Sequence, residues 1–274
     1  MIKIKDLKDF KLDHIFNCGQ CFRWAKEKDG SYTGVAFGKI VNMKMTDMVD
    51  LEIDQANQED FEKIWKHYLD LERDYGEIKK HLCKTDLVMA KATEHGYGIR
   101  ILNQDKWETI ISFLISQNNN IPRIKKCIET LCENFGEYIG EYRGKKYYDL
   151  PKPEVLSRLS IADLAVCRLG YRANYLIETA KQIEREGIEE TFEYLNTLCG
   201  VGPKVANCIL LFSMGKAGCF PIDVWVKRVM SQLYGIEQED TAAMLAYSEK
   251  NFGEYGGVAQ QYLFYYIREG QEIC

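Results

Sequence analysis

The spacing of apolar residues changes once along this chain, near residue 58, and that change limits what it can fold into. Before it, Phe22-Arg23-Trp24, Tyr32–Phe37 and Val41–Met45 are short runs of β-type composition, and Lys28-Asp-Gly-Ser31 between the first two is a turn signal. Runs of this kind predict an antiparallel sheet with one wet face. After it, Phe61, Ile64, Trp65, Tyr68 and Leu69 recur at helical spacing. Helical patterns follow at 107–117, 121–135, 153–158, 161–167, 172–186, 190–198, 203–214, 223–234, 240–251 and 257–268. The expected class is α+β: an N-terminal antiparallel β-rich domain over 1–98, then a larger all-α domain over 99–274.

The 274 residues suit one large domain or two packed ones, and 46% hydrophobic with 28% charged residues is the balance of a globular protein with ample core. There is no apolar run of about eighteen residues, and the charged start Met1–Asp9 has no apolar stretch of a leader. Neither a membrane span nor secretion is expected, which places the protein in the cytoplasm or nucleoid of a prokaryote or the nucleus of a eukaryote. The ten cysteines then read as reduced thiols, many of them buried. Cys18-x-x-Cys21 has no second pair at zinc spacing, no four-cysteine iron–sulfur run is present, and the histidines at 14, 67, 81 and 95 are scattered. No metal site and no organic cofactor are expected. A net charge of −5 and a pI of about 5.6 weigh mildly against nucleic acid. A local stripe can still bind phosphates, and Arg123/Lys125/Lys126, Arg143/Lys145/Lys146 and Lys227/Arg228 are basic clusters, each by itself a plain solvated surface.

Leu198-Cys-Gly-Val-Gly-Pro-Lys-Val-Ala-Asn-Cys208 reads as helix, tight turn, helix. Gly200 and Gly202 let the chain reverse in a few steps, and Pro203 suits the first turn of the second helix. The turn leaves backbone N–H groups free at a helix N-terminus, an anion site beside which Lys204 sits. Asp223 follows nineteen residues later, after Pro221-Ile222. It can cap the helix it opens, and it can accept a proton or stabilise developing positive charge. A lysine near a DNA backbone with a carboxylate alongside is a candidate nucleophile as well as a counter-ion. Lys204 and Cys208 share a helix face, as do Gln260 and Phe264; an amide there can read a hydrogen-bonding edge while the ring stacks on a flat one. The bland reading of both pairs is core. Ser116-Gln-Asn-Asn-Asn120 before Ile121-Pro-Arg123, and Gly170-Tyr171-Arg172, read either as plain loops or as a finger and wedge pressed into DNA.

Together these segments resemble the helix–hairpin–helix DNA glycosylases, and within them an 8-oxoguanine glycosylase with abasic-site lyase activity. Cys18-Gly-Gln-Cys-Phe-Arg-Trp24 matches the Gly-Gln-x-Phe-Arg-Trp signature of that family. Ile115–Arg123, Leu169–Ala173, Leu198–Ala206, Pro221–Val224 and Ala259–Phe264 match in order. The resemblance implies that Lys204 attacks C1′ of the lesion sugar and forms a Schiff base, while Asp223 stabilises the sugar cation and orients the lysine. It implies that the Gly19 carbonyl accepts the N7–H that 8-oxoguanine has and guanine lacks. Gln260 would read the Watson–Crick edge, with Phe264 and Cys208 on either side of the flipped base. Asn118 would fill the vacated space, Tyr171 wedge the stack, and Arg123 with Arg172 read the orphaned cytosine. Gly200 and Gly202 would grip the backbone. Trp225 stands where eukaryotic members carry a histidine, and Ile267 where they carry an aspartate.

The function expected is a bifunctional base-excision enzyme, a DNA N-glycosylase and lyase that works as a monomer on duplex DNA containing 8-oxoguanine. A cation held by hairpin carbonyls would serve DNA binding only. A related glycosylase for oxidised pyrimidines is disfavoured by the missing iron–sulfur cysteines, and one for alkylated purines by a nucleophilic lysine. A non-catalytic helix–hairpin–helix DNA-binding protein would use Lys204 only as a phosphate contact; Asp223 and the Gly19/Gln260/Phe264 set disfavour it.

Overall fold

A computed structural model describes residues 1–84 and 86–269. Five antiparallel strands form the N-terminal sheet: β1 Ile2–Ile4, β2 Trp24–Lys26, β3 Tyr32–Ala36, β4 Lys39–Thr46 and β5 Asp50–Asp54. Their order is β1-β5-β4-β3-β2. A short helix at Leu12–Asn17, where the sequence suggested mostly strand, packs its apolar face with the sheet in a core of Phe16, Trp24, Tyr32, Met43, Ile53, Trp65 and Tyr68. The Trp24 ring stacks on Phe16 at 4.1 Å and its indole N–H donates to the Tyr68 hydroxyl at 2.7 Å. Gly34 lies opposite Trp24 in the β2–β3 register, where a Cβ would come within 2.4 Å of the indole.

The remaining helices enclose a second, larger core. Those most relevant to function are Lys106–Ser116, Ile121–Phe135, Arg172–Glu186, Pro203–Ser213, Val224–Tyr234 and Gly256–Arg268. The expected patterns at 121–135 and 172–186 form helices over those spans. The pattern at 161–167 tightens to a 3₁₀ turn at Asp163–Cys167, and that at 190–198 shrinks to Phe192–Leu195. Two further helices, Tyr75–Cys83 and Leu87–His95, start at Asp74 and Asp86, whose carboxylates accept the first free N–H groups. A two-stranded hairpin, β6 Tyr138–Tyr142 and β7 Lys145–Tyr148, interrupts the helical region. Its turn is Arg143-Gly144, both at positive φ, and the strands are too short for alternation to betray them.

The segment Cys18–Trp24 joins the two cores. Cys18 and Phe22 enter the larger one, Cys21 and Trp24 the smaller. Gln20, 1% exposed, donates to the carbonyls of Ile15 (3.0 Å) and Arg100 (2.8 Å) and accepts from Leu102 N–H at 2.9 Å. Its own carbonyl accepts from Gln104. Arg23 pairs with Glu108 at 2.9 Å and donates to the Tyr148 carbonyl at 2.6 Å, so it reaches both the first long helix and the hairpin. Burial alone would lower its pKa, yet Glu108 and its neighbours hold the guanidinium above its ordinary value. Burial raises the Glu108 carboxyl, and Arg23 opposes that rise.

Arg23→Leu is expected to destabilise the protein by about 3–5 kcal/mol at neutral pH, because it strands the buried Glu108 carboxylate. A carboxyl whose folded pKa is raised binds its proton more tightly folded than unfolded. Lowering the pH through that raised value therefore restores part of the loss. Urea unfolding of both proteins at pH 7 and pH 5 should show the gap narrowing at the lower pH.

Candidate active site

The turn between Phe192–Leu195 and Pro203–Ser213 reverses through Gly200 at φ +81, with the Tyr175 ring packed against it. A Cβ there would sit 2.4 Å from a ring carbon, so the position admits only glycine. Gly202 is the extended residue before the second helix, and Pro203 takes its first turn. The Cys199 carbonyl accepts from the Thr179 hydroxyl at 3.2 Å, and the Gly200 carbonyl from the Gln117 amide at 3.0 Å. The second bond ties the hairpin to the asparagine turn.

Lys204 leaves the start of this helix with its ammonium 5.3 Å from the Phe113 ring centroid. Asp223 opens Val224–Tyr234 as its N-cap: Oδ1 accepts from Trp225 N–H at 3.0 Å and Val226 N–H at 2.8 Å. That leaves the second carboxylate oxygen to the solvent side. Among the described residues the two form no ion pair, but both line the same two spaces.

The inner space is a cavity of about 40 Å³ whose walls include Gly19, Lys204, Cys208, Asp223, Gln260 and Phe264. Six residues spread from 19 to 264 thus meet at one point. Burial pushes the Cys208 thiol above its ordinary pKa, with Lys204 opposing, so it stays a neutral, soft surface. The Gln260 carbonyl oxygen accepts from the neighbouring Gln261 amide at 2.8 Å. Gly19 sits at φ +80 with Phe264 so near that a Cβ would fall 3.2 Å from the ring. The Arg268 guanidinium lies 5.2 Å from the centroid of the same ring and donates to the Asn17 carbonyl. This volume holds on the order of two or three waters.

The outer space is a groove of about 550 Å³ between the asparagine turn, the hairpin and the start of Val224–Tyr234. Asn118, at φ +46, donates to the Tyr171 hydroxyl at 3.3 Å, and Tyr171 is 51% exposed. Arg123 is exposed in the first turn of its helix, capped by Asn120, and donates to the Arg168 carbonyl at 3.2 Å. Arg172, expected to face DNA, is instead turned inward at 4% exposure. Its guanidinium lies 4.5 Å from the Tyr171 ring centroid and donates to the carbonyls of Gln117 (2.8 Å) and Asn118 (2.9 Å). In this arrangement it shapes the turn, because its peptide-carbonyl partners satisfy it more cheaply than exposure of a stem already packed in the core. Trp225 lines the groove with Arg228 4.9 Å from its ring, and Ile267 packs half-buried against the core, so an indole and an aliphatic side chain occupy those two positions. Lys227 lines the groove as well, whereas Lys126 and Lys145 are paired with Glu129.

Two family models match: the N-terminal domain of 8-oxoguanine DNA glycosylase over residues 2–110, and the HhH-GPD superfamily of base excision DNA repair proteins over 111–253. The chain belongs to the HhH-GPD superfamily. It is 33% identical to the N-glycosylase/DNA lyase of Saccharomyces cerevisiae over 82% of its length and 68% of that protein's. The apo 8-oxoguanine glycosylase/lyase of Clostridium acetobutylicum superposes with a TM-score of 0.91 at 42% identity, covering 96% of this chain and 95% of that one. The same enzyme in complex with double-stranded DNA carrying cytosine opposite 8-oxoguanine superposes at 0.93 and 42%, covering 97% and 94%. Sequence reasoning did not single out Gln20, Arg23, Gln117 or Gln261. The first two lie inside a quoted signature, but their long-range carbonyl partners leave no local trace, and Gln261 looks like any residue next to a named one.

Asp223 caps with one oxygen, so Asp223→Ala should cost about 0.5–2 kcal/mol of stability, while Asp223→Asn keeps an acceptor and most of that energy. Thermal unfolding of the two variants against the parent measures the difference.

Proposed function

We infer that this HhH-GPD protein excises 8-oxoguanine from duplex DNA and then cleaves the strand at the abasic site. The observation that carries the reading is the meeting of Lys204, Asp223, Gly19, Cys208, Gln260 and Phe264 on one cavity, with Lys204 and Asp223 shared with the neighbouring groove. The target base must leave the helix to bring its sugar carbon within reach. Tyr171, exposed and hydrogen-bonded by Asn118 of the groove, suits a wedge, and Asn118 itself suits the vacated space. Arg123 is placed to meet the orphaned cytosine; Arg172 joins it by exchanging its carbonyl partners for the base.

With the base seated between Phe264 and Cys208, the Lys204 amine lone pair attacks C1′ and the bond to N9 breaks, its electron pair leaving with the base, which takes up a proton. The Asp223 charge stabilises the cationic sugar as that bond weakens. Opening of the sugar ring gives an iminium between C1′ and Nζ. Loss of a proton from C2′ then expels the 3′ phosphate oxygen, which is β-elimination. The Gly19 carbonyl selects the lesion: it accepts N7–H of 8-oxoguanine but faces a bare acceptor in guanine, an unpaired contact worth roughly 1–3 kcal/mol against the undamaged base.

Borohydride reduces an iminium to a stable amine, so incubation with an 8-oxoguanine duplex and borohydride should yield a covalent protein–DNA adduct. Thymine glycol and 3-methyladenine duplexes should give none, and Lys204→Gln should abolish it. DNA binding with neither adduct nor base release would sink the reading in favour of a clamp. Asp223→Asn, stable by its retained cap, should slow base release by roughly a hundredfold or more in single-turnover assays. Gly19→Ala, strained at positive φ and crowding Phe264, should lower 8-oxoguanine release at least tenfold while leaving binding to undamaged duplex unchanged.

A further inference from the structure

Gln261 is 4% exposed and lines the inner cavity beside Gln260. Its amide nitrogen donates to the Gln260 carbonyl oxygen at 2.8 Å. Its own carbonyl oxygen is buried and has no hydrogen-bond partner among the described residues. Buried acceptors without partners are rare and costly, and one that lines a pocket is an acceptor held for something that enters it. Successive residues of a helix point about 100° apart and ordinarily serve different faces. Here two adjacent amides reach the same cavity, coupled to each other.

Resting on the activity inferred above, we propose that Gln261 is a second specificity-determining residue of the base pocket, reading the 2-amino group of the lesion. The Watson–Crick edge of 8-oxoguanine presents three groups in a row: the O6 acceptor, the N1–H donor and the N2 amino donor. Gln260 meets that edge with its amide N–H and with the one lone pair its oxygen has left beside the bond from Gln261, and so answers two of the three. The bond from Gln261 fixes the orientation of the Gln260 amide. Its nitrogen is then presented to O6, and its carbonyl oxygen keeps a lone pair for N1–H. The unpartnered Gln261 oxygen accepts from the 2-amino group, which completes the row. A base without that amino group leaves the buried oxygen unpaired, and an 8-oxoadenine presents its 6-amino group to the Gln260 nitrogen, donor against donor.

The test is a single-turnover comparison, with the full chain, of duplexes carrying 8-oxoguanine or 8-oxohypoxanthine opposite cytosine. The second base differs from the first only by lacking the 2-amino group. The unaltered protein should release 8-oxoguanine about tenfold faster, the worth of one neutral hydrogen bond. Gln261→Met, similar in length and without donor or acceptor, should slow both bases through the lost bond to Gln260 and slow 8-oxoguanine about tenfold more, so the ratio falls toward one. Gln261→Leu, of different shape but equally without an acceptor, should do the same, which separates the effect from misfolding of one variant. An equal fall on both substrates would make Gln261 only a strut for Gln260 and overturn the proposal, as would an unaltered protein indifferent to the 2-amino group. An unaltered protein that released neither base would overturn the activity instead.

Discussion

The buried amide of Gln20 is the interaction on which the site depends. Four hydrogen bonds run from this one residue, through side chain and carbonyl, to the helix before it and to the strand-like connection at 100–104. Gly19 is its immediate neighbour, so the carbonyl proposed to sense the lesion is held by the same bonds that join the two cores. A loop fixed only by local turns would fray at no great cost. This one cannot move without opening a buried polar network, whose unpaired groups would each cost about 1–3 kcal/mol. Arg23 adds a second anchor three residues past Gln20. In the proposed reaction the segment between the first helix and β2 would thereby contribute without supplying a reacting group: it positions one carbonyl.

Opposite that fixed carbonyl the pocket is adaptable. Phe264 rests on Gly19 with the Arg268 guanidinium 5.2 Å from its ring centroid, and the cavity volume is far below that of a base. In the proposed reaction the Phe264 ring leaves the glycine and meets the purine, exchanging one flat contact for another. The rigid wall carries the proposed discrimination and the soft wall the stacking, a division that lets one pocket be both selective and fillable.

Much of this was legible in the chain. The change of period near residue 58 separated sheet from helices, and the helical patterns at 121–135 and 172–186 became helices over those spans. The hairpin showed through Gly200 and Pro203, whose backbone requirements are local. What was not legible was non-local. The β6–β7 hairpin is four and five residues a side, too short to leave a pattern. The inward turn of Arg172 depends on carbonyls fifty-four and fifty-five residues away. The pairing of Gln260 with Gln261 is set by how the last helix rolls against the cavity, which no spacing rule reports. The six converging residues could be named from motifs, but their meeting point is a property of two cores packed together.

Lys204 stands where inner cavity and outer groove meet, and this position reconciles its two possible roles. The free N–H groups of the hairpin favour anions within about one turn of the helix start. A phosphate there draws the strand toward the lysine without consuming it, because the backbone amides carry the contact. The ammonium itself lies over the Phe113 ring, on the cavity side, and is tied into no ion pair with Asp223. Asp223 in turn spends one oxygen on its helix cap, which fixes the carboxylate in place and leaves one edge for charge arising on the sugar. Each partner is thus held by something other than the other. A tight lysine–aspartate pair would have tied the two groups to each other, and neither would then be free to face the sugar in the proposed reaction.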